Sequence, residues 1–129
     1  MIAVVDYGVG NLYSIARSLS FLGLKSEVTR EAEVLSRAEK IILPGVGAFG
    51  DAMQKLLGSG LMPALKARAA QGAPLLGICL GMQLLFEESF EYGRHRGLGL
   101  IPGRVRPLQD DLPEGLKVPQ IGWNALEIR

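Results

Sequence analysis

Pro74-Leu75-Leu76-Gly77-Ile78-Cys79-Leu80-Gly81-Met82-Gln83 decides how the rest of this chain is read. Leu75 to Ile78 is an unbroken apolar run, the pattern of a strand buried on both faces of a parallel sheet. Leu80 to Glu88 is apolar nearly all round at helical spacing, which predicts a buried helix. Cys79 therefore falls at the junction of strand and helix, with Gly77 and Gly81 two residues to either side. This is the spacing of a nucleophile elbow with cysteine in the place of serine. So sharp a turn leaves no room for side chains at the bracketing positions. It holds the thiol at the carboxyl edge of the sheet, over a helix N-terminus that favours an anion. A lone cysteine is more often an inert core residue; the strand and glycine context points instead to a nucleophile.

Outward from this stretch, the same grammar repeats. Ile2–Val5 and Ile41–Leu43 are further apolar runs, and segments of helical period lie between them. Leu12, Ile15, Ala16, Leu19 and Leu22 form one stripe, with Asn11 placed to cap its start and Gly23 to end it. Phe49, Ala52, Met53, Leu56 and Leu57 form another, closed by Gly58. A third helix is expected over Gly60–Gln71, with Pro63 confined to its first turn. Strand and helix in alternation predict an α/β fold with a doubly wound, mainly parallel sheet in a single domain over residues 1–129. After about residue 95 the character changes. Gly97–Val105 and Val118–Ile128 look like strands around a turn-rich loop, which predicts a β-ribbon or antiparallel extension.

Two more glycine-rich turns follow strands. Gly45-Val46-Gly47-Ala48-Phe49-Gly50 contains the letters of a dinucleotide fingerprint, but the next obvious strand ends at Cys79 with no carboxylate to meet a ribose. The competing reading is an oxyanion loop, whose glycines let backbone N–H groups turn inward beside the nucleophile. Asp6-Tyr7-Gly8-Val9-Gly10-Asn11 lacks the third glycine of the fingerprint and the Lys-Ser or Lys-Thr of a phosphate loop, so it reads as a tight turn into a capped helix.

Composition excludes several classes. With 129 residues, 48% hydrophobic residues and 17 glycines, the chain is globular and long enough for a core. A net charge of +1 provides no field for nucleic acid or anionic membrane. No apolar stretch is long enough to span a bilayer, and the N-terminus has no basic leader region. One Cys excludes an internal disulfide and a cysteine-based zinc site, and no metal or cofactor is expected; a reducing cytoplasm fits best. The sole His, His95, lies in the charged, glycine-flanked stretch Tyr92–Gly97 and reads as an exposed loop residue.

The motifs together resemble class I (triad) glutamine amidotransferases, and among them the glutaminase subunits of imidazole glycerol phosphate synthase. Gly77-Ile78-Cys79-Leu80-Gly81-Met82-Gln83 is the nucleophile motif of the class. Val5-Asp6-Tyr7-Gly8-Val9-Gly10-Asn11-Leu12, Leu43-Pro44-Gly45-Val46-Gly47 and Pro119-Gln120-Ile121-Gly122-Trp123-Asn124 carry the narrower likeness. The resemblance implies glutamine hydrolysis through a Cys79 thioester and delivery of ammonia to a (βα)8-barrel cyclase subunit. It implies an oxyanion hole from the Leu80 N–H and an N–H of Gly45, Val46 or Gly47, and a role for Gln83 in holding glutamine. It sets Asn11 and Trp123 on the partner face, although Trp123 as core filler is the plain alternative. Members of the family also carry a His and a Glu near their C-terminus. Neither lies within these 129 residues, and His95 does not match in position, so the resemblance implies a stretch without its general base and without the last strands of the sheet.

Overall fold

The computed structural model describes residues 1–128. Four parallel strands form the main sheet: β1 (Ile2–Val5), β2 (Ser26–Thr29), β3 (Lys40–Leu43) and β4 (Leu75–Gly77), in the order β2-β1-β3-β4. Helices α1 (Leu12–Phe21), α2 (Ala32–Arg37), α3 (Phe49–Gly58) and α4 (Met62–Ala70) connect them. In β1 and β3 the apolar runs are continuous because both faces are covered; β4, expected to be buried on both faces, is instead an edge strand that leaves Leu76 and Ile78 exposed. Ala3, Val5, Ile41 and Leu43 point into a core closed by Leu35, Phe49, Leu56 and Leu65, while Val4 and Ile42 meet Leu19 of α1 on the other face. This is the doubly wound arrangement, and the three apolar runs and the helical stripes before residue 72 form strands and helices where they were expected. The Asn11 side chain accepts from the Ser14 N–H at the start of α1, and Gly23 follows its end at φ +69°.

Register sets the carboxyl edge. Val5 pairs with Thr29 and Leu43 with Gly77, so the turns after β1, β3 and β4 emerge side by side. Connections leave β1 toward β2 on one side and reach β3 on the other, and the switch of direction opens a crevice between the ends of β1 and β3.

Sequence reading missed β2 and α2. In β2 only Thr29 is buried and in α2 only Leu35, so neither segment carries an apolar pattern. The helix expected over Leu80–Glu88 is a single turn, α5 (Leu80–Gln83), followed by strand β5 (Phe86–Ser89). The reason is competition for carbonyls. Leu98 N–H binds Leu84 O at 2.8 Å, Leu100 N–H binds Leu85 O at 2.8 Å and Gly97 N–H binds Glu87 O at 2.8 Å, which takes the acceptors a longer helix would need. β5 sits between β6 (His95–Arg96), antiparallel, and β7 (Ile101–Val105), parallel, in a second sheet of three strands. The expected extension is thus a small mixed sheet. Gly97–Leu100 lies before its last strand, and among the described residues 118–128 form no strand.

Candidate active site

Cys79 has φ 54° and ψ −119°, a backbone conformation that costs a side-chain-bearing residue on the order of 1–3 kcal/mol. Backbone bonds hold it there. Ile78 N–H donates to Leu43 O at 3.0 Å across the sheet, and Gly81 N–H returns to Ile78 O at 2.9 Å. The two glycines are required by close approach: a Cβ on Gly81 would overlap the Leu43 carbonyl, and one on Gly77 would run into the Met82 backbone. The thiol is exposed at this edge. α5 is one turn long, so it brings only its first N–H groups, and no long helix dipole, to this edge. Met82 N–H is bonded to Cys79 O, while among the described residues the Leu80 N–H has no partner.

The turn after β3 lies against this elbow. A Cβ on Gly45 would stand 2.5 Å from the Gly81 nitrogen, so the two backbones touch where only glycine fits. Gly47 has φ +88° and Val46 is exposed, which leaves the outer part of the turn free to present N–H groups. Its inner part is gripped from the β1 side. Tyr7 Oη donates to Pro44 O at 2.6 Å, and a Cβ on Gly10 would come 2.8 Å from the Pro44 side chain. Burial pushes the Tyr7 phenol up to about 12. Asp6 steadies the same turn by accepting from Gly8 N–H at 3.0 Å and from Arg30 Nε at 2.7 Å, and the Arg30 bond holds its carboxyl below the usual range. Tyr7 escaped the sequence reading; its position just past a buried strand that ends at the same edge is the signal that could have found it.

Gln83 is half-buried, and its Oε1 is enclosed without a hydrogen-bond partner. It lines a cavity of about 490 Å³ with Phe90, Tyr92, Val105 and Arg106. Asn11 is exposed beyond its capping bond, and Trp123 is wholly exposed at 102%, so it fills no core. His95 corrects an expectation. It is not in an exposed loop but half-buried on β6, where pairing with Ser89 lays its ring against Gly50 at the start of α3. There its Nε2 lies 3.3 Å from Tyr92 O and its ring centroid 6.5 Å from that of Phe49. Among the described residues no group of three His, Cys, Asp or Glu is placed to hold a metal, and no helix is long and apolar enough to cross a membrane.

Residues 3–123 match the family model described as glutamine amidotransferase class-I. Two similar relatives are proteins named imidazole glycerol phosphate synthase subunit HisH. The one from Bacillus licheniformis is 52% identical over 130 residues, covering 99% of this chain and 61% of the relative. The one from Wolinella succinogenes is 50% identical over 125 residues, covering 96% of this chain and 61% of the relative. This chain therefore spans about three-fifths of the length of the curated relatives it matches. A solved structure titled as a glutamine amidotransferase superposes with a TM-score of 0.68 at 23% identity, over 81% of this chain and 55% of that one, which is a likeness of fold.

Proposed function

The chain belongs to the class I glutamine amidotransferase family, and on that premise we propose that it is the glutamine-hydrolysing part of an imidazole glycerol phosphate synthase. The carrying observation is the backbone of Cys79: a strained, exposed thiol bracketed by two glycines that no side chain could replace. A core cysteine has no use for such a conformation.

In this reading the Cys79 sulfur attacks the γ-carboxamide carbon of glutamine. The C–S bond forms and the carbonyl electrons move to oxygen. The Leu80 N–H and an N–H of Gly45, Val46 or Gly47 receive that oxyanion, each such donor contributing on the order of 3 kcal/mol. Collapse breaks the C–N bond, and the nitrogen takes up the proton that the thiol gave up and leaves as ammonia. Water then attacks the thioester to release glutamate and restore the thiol. Gln83, which lines a cavity of about 490 Å³ and whose Oε1 has no hydrogen-bond partner, is the residue read as helping to hold the substrate. Ammonia passes to a (βα)8-barrel cyclase subunit, with Asn11 and Trp123 on the docking face and the cytoplasm as the setting. Nucleic acid and membrane have no part in it.

The test is covalent. A chloroketone analogue of glutamine should modify this chain once, at Cys79 by peptide mass spectrometry, with protection by free glutamine and no modification of Cys79→Ala. Modification indifferent to glutamine would defeat the proposal. Steady turnover by these 129 residues is expected to be negligible, since a positioned acid–base group contributes about 10²–10⁴-fold and the one histidine is engaged with Gly50 and Tyr92. Glutamate release that is rapid and lost in His95→Ala would assign the base to His95 after all.

A further inference from the structure

We propose that Tyr7 is the positioning residue of the oxyanion loop, its phenol fixing the first peptide plane of that loop from the neighbouring strand. The inference rests on reading Gly45–Gly47 as the oxyanion loop. β1 and β3 are adjacent in the sheet, with Val4 opposite Ile42. Tyr7, two residues past β1, and Pro44, one residue past β3, therefore meet across the crevice at the switch point. The phenol is 5% exposed and donates to the Pro44 carbonyl, its only donor among the described residues.

A peptide unit is planar, so holding the carbonyl oxygen of Pro44 toward Tyr7 also fixes the Gly45 N–H, which points the opposite way. Proline at position 44 adds a locked φ on the other side of that plane. Gly10 packs on the Pro44 ring, and Gly45 packs on the Gly81 nitrogen beside the nucleophile. The first peptide of the loop is thus clamped between the β1 turn and the Cys79 elbow, while rotation remains at exposed Val46 and at Gly47. Oxyanion donors act only if held in place before the charge develops, which is the job such a clamp performs. The hydroxyl is suited to it because burial keeps the phenol protonated far above neutral pH.

A merely structural tyrosine and a positioning one differ in which reaction of Cys79 they affect. With a glutamine-like chloroketone, the thiol proton goes to solvent and the thiolate adds at the ketone carbon, forming an oxyanion; the sulfur then displaces chloride from the adjacent methylene, and the bond to the carbonyl carbon breaks as the oxyanion returns to the ketone. Iodoacetamide alkylates the same sulfur by direct displacement of iodide, and no oxyanion develops. Tyr7→Phe in the 129-residue chain should slow the chloroketone about tenfold, less than full loss of a donor, while the iodoacetamide rate stays within about twofold. Gly10→Ala, which pushes on the Pro44 ring from the same turn without altering the phenol, should show the same selective loss. Circular dichroism accompanies both variants. Equal slowing of both reagents in the two folded variants, or slowing of neither, would overturn the proposal. Failure of the underlying functional reading appears separately, in the unaltered chain, as a chloroketone reaction that glutamine does not inhibit.

Discussion

The carboxyl edge of the main sheet and the segment from 106 to 128 are built from similar proportions of apolar residues, yet they behave in opposite ways. At the edge, Leu43, Pro44, Tyr7 and Leu80 are buried, and at Gly45, Gly77 and Gly81 backbone approaches backbone as only glycine permits. In the later segment Leu116, Ile121, Trp123, Leu126 and Ile128 are exposed, with Trp123 at 102%. Apolar character determines burial only where neighbouring backbone offers a surface to bury against. The first region has three adjacent turns to lean on; the second has no paired strand among the described residues. Large apolar side chains held out in water suit contact with another surface, in line with the partner role proposed for Trp123.

The contrast can be broken first at its strongest point. Gly81→Ala drives a Cβ into the Leu43 carbonyl, a backbone atom that cannot swing aside, and should cost about 3 kcal/mol or more in urea unfolding. A cost below about 1 kcal/mol would mean that the elbow relaxes freely and is no rigid nucleophile mount. A middle-sized effect belongs to Tyr7. Its phenol ionises near 12 when folded and near 10 when unfolded, so the stabilising preference for the neutral phenol is complete below pH 10 and is lost as pH rises through 12. The stability difference between the native chain and Tyr7→Phe should therefore shrink by on the order of 2 kcal/mol over that window. A difference that stays constant with pH would show that the phenol is not buried as described. The smallest effect is at Trp123. Trp123→Ala should change the stability of the isolated chain by no more than about 0.5 kcal/mol, whereas the affinity for a cyclase subunit, measured by calorimetry, should fall by about 2 kcal/mol. A large loss of stability would move Trp123 into the core and erase the contrast.

What could be read in advance divides along the same line. β1 and β3 were legible because strands covered on both faces must be apolar at every position, and α1 and α3 because each lays a stripe on the core; β4 was legible by its apolar run, although as an edge strand it leaves Leu76 exposed. The elbow was legible because its glycines leave a mark in the sequence at fixed spacing. β2 and α2 were not, since their places are held by backbone pairing with β1 and by a single leucine. His95 was misjudged because its charged neighbours hid a ring that packs on Gly50, a contact between residues 45 positions apart.

The alternation of strand and helix, the position of the nucleophile candidate and the need for glycine on either side of it all follow from local sterics and from the period of apolar residues. The three-dimensional fold sets where the helix after Cys79 stops, because amides from Gly97–Ile101 claim the carbonyls of Leu84–Glu87. It alone decided that Tyr7 reaches Pro44, because strand order, and not chain order, makes β1 and β3 neighbours. Hydrogen bonds between distant segments have no period along the chain, so they leave nothing for a pattern to report.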